Sequence, residues 1–96
     1  MNKTFRSKAL KALWDSGEEK KLPPESIKKL SKILNYIDSI SQINELPESV
    51  LKQYRVHQLK KPPYKGFWSM DVTGNYRVVF MLEDGNTYDI DFLDTH

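Results

Sequence analysis

The hydrophobic period of this chain changes once, near its middle, and that change limits the folds open to it. Up to about residue 40 the apolar side chains recur at helical spacing. From residue 67 they run in short blocks divided by two turn signals, the pattern of strands and hairpins. In the first part Ala9, Leu10, Leu13 and Trp14 predict a helix over 7–16, stopped by Gly17, after a short strand at 2–5. Pro23 and Pro24 open a second helix, because proline suits a first turn and Glu25 complements the positive end of the helix dipole. Ile27, Leu30, Leu34 and Ile37 form its apolar stripe, widened by Ile33 and Ile40, while Lys28, Lys29 and Lys32 face away; roughly four to five turns are expected.

The polar segment 41–49, with Pro47, reads as a connection. Beyond it, 67–72 predicts a strand and Thr73, Gly74 and Asn75 a turn. Residues 76–82 are β-branched and aromatic, the composition of a strand buried on both faces. Asp84, Gly85 and Asn86 make the next hairpin turn, after which Tyr88, Ile90 and Phe92 alternate with Asp89 and Asp91. Two N-terminal helices followed by an antiparallel meander define an α+β fold with the helices on one face of a small sheet. Trp14, Trp68 and Phe80 fall at core spacing.

With 96 residues the chain is expected to be one domain spanning 1–96. The absence of cysteine excludes disulfides and thiolate metal sites and suits a reducing compartment. No apolar run reaches membrane-spanning length, and the lysine-dotted N-terminus lacks a signal-peptide core. The expectation is therefore a cytoplasmic protein that makes no membrane contact.

Charge is unevenly distributed. Between residues 50 and 77 lie Lys52, Arg55, Lys60, Lys61, Lys65 and Arg77 against the single acid Asp71. Residues 78–96 carry Glu83, Asp84, Asp89, Asp91 and Asp94 and no cation. The middle third is thus the candidate anion-binding surface. It also contains His57, and the chain ends on its other histidine, His96. These two imidazoles are the side chains that exchange protons near neutral pH without a large shift.

The run Val72-Thr73-Gly74-Asn75-Tyr76-Arg77-Val78-Val79-Phe80, then Glu83-Asp84-Gly85 and the ending Asp89-Ile90-Asp91-Phe92-Leu93-Asp94-Thr95-His96, resembles the HigB-type toxins of bacterial toxin–antitoxin modules, within the RelE/ParE superfamily. Arg55-Val56-His57-Gln58-Leu59-Lys60, Lys65-Gly66-Phe67-Trp68-Ser69 and the N-terminal helix match as well, so the likeness runs nearly end to end. The resemblance implies a small toxin that enters the ribosomal decoding site and cuts messenger RNA. It also implies a partner that neutralises it, a helix-turn-helix antitoxin of the HigA type, through which the complex contacts DNA indirectly and represses its own promoter. Catalytic or substrate-contacting roles are implied for His57, Asp94 and His96, with Arg77 near the scissile phosphate. The chain departs from the pattern at Thr95, where the family usually has tyrosine, a ring that stacks on a base for ~1–3 kcal/mol. It departs again in the loop 60–65, where Pro62, Pro63 and Tyr64 replace a shorter turn; Tyr64 can supply a ring there.

Read from the residues alone, the chemistry needs no metal or other cofactor. RNA carries its own nucleophile, the 2′-hydroxyl, so the protein must remove its proton, stabilise the phosphorane and protonate the departing 5′-oxygen. Two imidazoles, His57 and His96, can divide the acid and base roles, each contributing ~10²- to 10⁴-fold, with the assignment between them open. Arg77 offers a planar fork to the phosphate, Lys60 adds charge, and Asp94 orients a histidine or holds a proton. Lys61, Tyr64, Lys65 and Thr95 complete the expected RNA surface, and the lysines of the second helix suit nonspecific contact with ribosomal RNA.

Plainer readings stand beside these. A terminal histidine is commonly idle, His57 can cap a strand, and Arg77 can form a structural bridge to Asp89 or Asp91. Two other functions fit the same scaffold: a ParE-like protein that binds and inhibits DNA gyrase, and a catalytically weakened toxin that still binds its antitoxin. The two histidines favour the nuclease over the first, and Thr95 keeps the second in view.

Overall fold

The computed structural model of the chain describes residues 1–95. Helix α1 (Lys8–Ser16) begins at Ser7, whose hydroxyl accepts from the Leu10 amide at 3.1 Å, and ends at Gly17 in the left-handed region, φ 71°. A 3₁₀ turn over Pro24–Ser26 leads into α2 (Ile27–Ser39), so part of the expected second helix is 3₁₀ and Ile40 is already extended. The stripe itself is as expected: Leu30, Ile33, Leu34 and Ile37 are fully buried.

The segment expected to be a plain connection is more ordered than its polarity suggests. It contains a 3₁₀ turn, Ile43–Glu45, closed by a capping box between Gln42 and Glu45, and its last two residues begin a further helix, α3 (Glu48–Gln53). Pro47 followed by Glu48 is the same start signal as Pro24 followed by Glu25. Six residues give too few apolar repeats for the period to be read; Val50 and the following Tyr54 are buried in the core, and Leu51 packs against it.

The sheet holds β1 (His57–Gln58), β2 (Trp68–Asp71), β3 (Tyr76–Glu83) and β4 (Asn86–Asp94), all antiparallel and in chain order. Asp84 and Gly85, with φ of 52° and 78°, make the two-residue β3–β4 turn, which requires positive φ at both positions. The predicted N-terminal strand is an extended segment running parallel to β4, bridged at Asn2 to Thr87 and at Phe5 to Ile90. It covers the outer edge of β4 with bonds such as Arg6 N–H to the Ile90 carbonyl at 2.8 Å.

The helices cover one face, where Met70, Val78, Phe80 and Ile90 join the helix stripe in a single core. Phe80 is fully buried, and Trp14 and Trp68 pack against that core partly exposed. Thr87, also fully buried, ties the layers together by donating its hydroxyl proton to the Ile37 carbonyl at 2.9 Å.

One part of the expected alternation fails. Val79 faces Asp91 while Met81 faces Tyr88, so β4 carries one extra residue, with Asp89 at φ 53°. The bulge puts Tyr88 in register with Met81, on the side opposite Ile90 and Phe92. The N-terminal segment fixes it: the Thr4 hydroxyl accepts from the Asp89 amide at 2.8 Å.

Candidate active site

Direct cross-strand partners share a face, so the register lists what the helices leave uncovered. One row is His57, Ser69, Val79 and Asp91; the next is Asp71, Arg77 and Leu93. His57 and Arg77 therefore lie on the same face of the sheet, the one opposite the helices, although Ser69 and Val79 at the centre of the row are fully buried.

His57 owes its position to the end of α3. The Val56 amide donates to the Leu51 carbonyl at 2.9 Å and the Arg55 amide to the Lys52 carbonyl at 3.2 Å, a Schellman stop. Such a stop needs a left-handed residue, usually glycine, and here it is Arg55 at φ 46°. The turn aims the Arg55 carbonyl at the imidazole, whose Nδ1 lies 2.6 Å from it. A carbonyl only accepts, so Nδ1 carries the proton and Nε2 is the nitrogen left to exchange one.

Beside His57 opens a cavity of about 600 Å³ lined by residues 57–64, which brings His57, Lys60, Lys61 and Tyr64 around one space. Lys65, exposed, lies on the same loop. Tyr64 is half-buried and fixed on two sides. Its hydroxyl donates to Asp91 Oδ2 at 2.8 Å, and its ring meets Phe67 edge-on with centroids 5.2 Å apart. The Asp91 carboxylate, accepting the phenolic proton, is the first cause holding the Tyr64 pKa above its usual value, with burial second.

Arg77 has an ion partner, though neither of those weighed from the sequence. Its Nε lies 3.5 Å from Asp71 Oδ1, the residue directly across in β2, while Arg55 Nε reaches Asp71 Oδ2 at 2.8 Å. Asp89 is diverted by the bulge and Asp91 is engaged by Tyr64. Asp71, largely buried, thus stands between two guanidiniums, a role its place as the sole acid in a basic stretch did not reveal. Arg6 was missed altogether. It arrives from the N-terminal segment, 5.9 Å from the Tyr64 ring centroid and 5.2 Å from that of Phe67, with Asp89 3.9 Å away. No local signal marks it, since only the parallel pairing with β4 brings it here.

Asp94 and Thr95 are placed differently. Asp94 is opposite Tyr76, in register with the helix-covered side. Thr95 is pinned to the β2–β3 turn, its amide and hydroxyl donating to the Asn75 carbonyl at 2.7 and 2.9 Å. Neither residue lines the cavity beside His57. His96 lies outside the described residues.

Helices packed on one face of a small four-stranded antiparallel sheet are the architecture of a RelE-like toxin. The profile of the RelE-like toxins of the type II toxin–antitoxin system HigB matches residues 3–96, and the chain belongs to that family. Endoribonuclease HigB of Proteus vulgaris is 31% identical over 96 residues, covering all of both chains. Among solved structures, YafQ from E. coli strain BL21(DE3) superposes with a TM-score of 0.52 at 16% identity, over 98% of this chain and 93% of that one. A point variant of YafQ from E. coli gives the same TM-score at 17% identity over the same shares. The chain is therefore a toxin of a type II system, a class that works with an antitoxin. Among the described residues no helix is long and apolar enough to cross a membrane.

Proposed function

We propose that this protein is an endoribonuclease, a single toxin domain spanning 1–96 that cuts messenger RNA on the ribosome in the bacterial cytoplasm. A helix-turn-helix antitoxin of the HigA type restrains it, and the complex reaches DNA through that antitoxin. The observation that carries this reading is the imidazole of His57, held through Nδ1 by the Arg55 carbonyl at 2.6 Å at the edge of a cavity shared with Lys60, Lys61 and Tyr64.

The chemistry follows from that tautomer. A neutral His57 takes the 2′-hydroxyl proton on Nε2; the oxygen attacks phosphorus, the P–O5′ bond breaks, and a second group protonates the departing 5′-oxygen. The products are a 2′,3′-cyclic phosphate and a 5′-hydroxyl. His96 is assigned the complementary proton transfer, and the pair can exchange roles because the same Nε2, once protonated, is an acid. Asp71 Oδ1 lies 3.5 Å from Arg77 Nε, an ion pair without a hydrogen bond; it keeps the guanidinium on this face of the sheet, where its terminal nitrogens can meet the phosphate oxygens as charge builds on them. Lys60 adds a second positive charge, and Asp94 is assigned to orient a histidine or hold a proton.

Primer-extension mapping of transcripts after induction, with and without the antitoxin, tests the reading. Cuts inside codons that vanish when the antitoxin is co-expressed support it. Growth arrest with intact transcripts and damaged DNA would instead mark a gyrase inhibitor.

A further inference from the structure

Strand scission involves the sugar and the phosphate, which are alike at every position of an RNA. The space beside His57 has walls suited to another part of the strand. Leu59, Pro62, Pro63 and the Tyr64 ring make it largely apolar, and it holds about 600 Å³, within the range of small-molecule sites. Those walls are stiff: proline fixes its own φ, and Tyr64 is tied to Asp91 and Phe67. Lys60 and Lys61 line the same cavity, both exposed, and among the described residues no ion pair engages them. An apolar slot flanked by two cations complements a flat uncharged ring that carries a phosphate.

Gln58 adds direction. Its Nε2 donates to the Gly66 carbonyl at 3.1 Å. The carboxamide is planar, with oxygen and nitrogen on opposite sides, so holding the nitrogen leaves Oε1 as a fixed acceptor. An acceptor pairs with the exocyclic amino group of adenine (N6) or cytosine (N4) and is repelled by the carbonyl that guanine (O6) and uracil (O4) carry at the same place.

The geometry points to a nucleobase subsite: the cavity over 57–64 holds one base of the RNA next to the linkage that is cut, and Gln58 selects adenine or cytosine over guanine and uracil. This rests on the endoribonuclease reading and adds to it a source of sequence preference.

The test is an amide-resolved NMR titration of the intact toxin with the 3′-monophosphates of adenosine, cytidine, guanosine and uridine, and with inorganic phosphate. The adenosine and cytidine nucleotides are expected to shift amides within 57–66 and to bind about fivefold tighter than the guanosine and uridine nucleotides, the weight of one hydrogen bond. The Gln58→Leu variant is expected to erase that difference, and the comparison of four nucleotides on the unaltered protein stands if the variant does not fold. Equal binding of all four, or the same shifts from phosphate alone, would overturn the subsite. So would shifts confined to other surfaces, or shifts at 57–66 produced by the antitoxin and by no nucleotide. Transcript cutting is read separately: cutting without base discrimination sinks the subsite alone, and discrimination without cutting sinks the nuclease alone.

Discussion

Arg55 holds the His57 imidazole with its main chain, not its side chain: its carbonyl lies 2.6 Å from Nδ1 because its backbone is left-handed, at φ 46°. A side chain in that conformation costs about 1–2 kcal/mol, and strain of this kind tends to collect at functional sites.

Separating backbone from side chain gives the first prediction. Arg55→Gly keeps the stop and the carbonyl, relieves the strain and loses an ion pair whose arginine is largely exposed, worth at most about 1 kcal/mol. Its stability is expected to stay within about 1 kcal/mol of the parent in urea unfolding. Arg55→Val, β-branched at a left-handed position, is expected to lose about 1–2 kcal/mol and to cut RNA more slowly as the carbonyl shifts. Equal losses in the two variants would place the effect in the guanidinium instead.

Thr87→Val removes the bond that joins β4 to α2 and leaves the Ile37 carbonyl buried without that donor. The expected cost is about 1–2 kcal/mol, seen as a drop in Tm of roughly 5–15 °C for a domain of this size. An unchanged Tm would mean that the carbonyl finds another partner.

Tyr64→Phe keeps the ring and deletes the proton given to Asp91, with an expected loss of about 1 kcal/mol near neutral pH. The sign of its pH dependence follows from the raised pKa. Stability from the protonated phenol is fully present below the ordinary tyrosine value and is lost as pH rises through the higher folded value. Parent and variant are therefore expected to converge in strongly alkaline urea titrations. A gap that widens with pH would contradict the assignment.

The fold was legible wherever a period had room to repeat. The Ile27 to Ile37 stripe and the Val78-Val79-Phe80 block are each long enough to declare a helix and a doubly buried strand, and Asp84-Gly85 carries its turn chemistry in two residues. Helix α3 was not legible, because six residues offer no period to read. The inverted position of Tyr88 was hidden too, since the bulge at Asp89 is fixed by Thr4, 85 residues away in sequence. For the site, the stretch from His57 to Tyr64 is continuous in the chain, so its residues were found together and fold around one cavity. Asp71 and Arg6 were missed because their roles come from cross-strand pairing, which a linear reading does not register. The likeness to HigB-type toxins supplied the remaining assignments, and the family match supports that likeness.

Cleavage as proposed requires His57 to exchange protons with RNA through Nε2, and the ends of the cut RNA report that step directly. Transcripts cut in cells expressing the parent toxin are expected to carry 2′,3′-cyclic phosphate and 5′-hydroxyl ends, with no cuts from a His57→Ala variant that still folds and binds the antitoxin. Cutting by that variant at the parent rate, or products bearing 5′-phosphates, would contradict it.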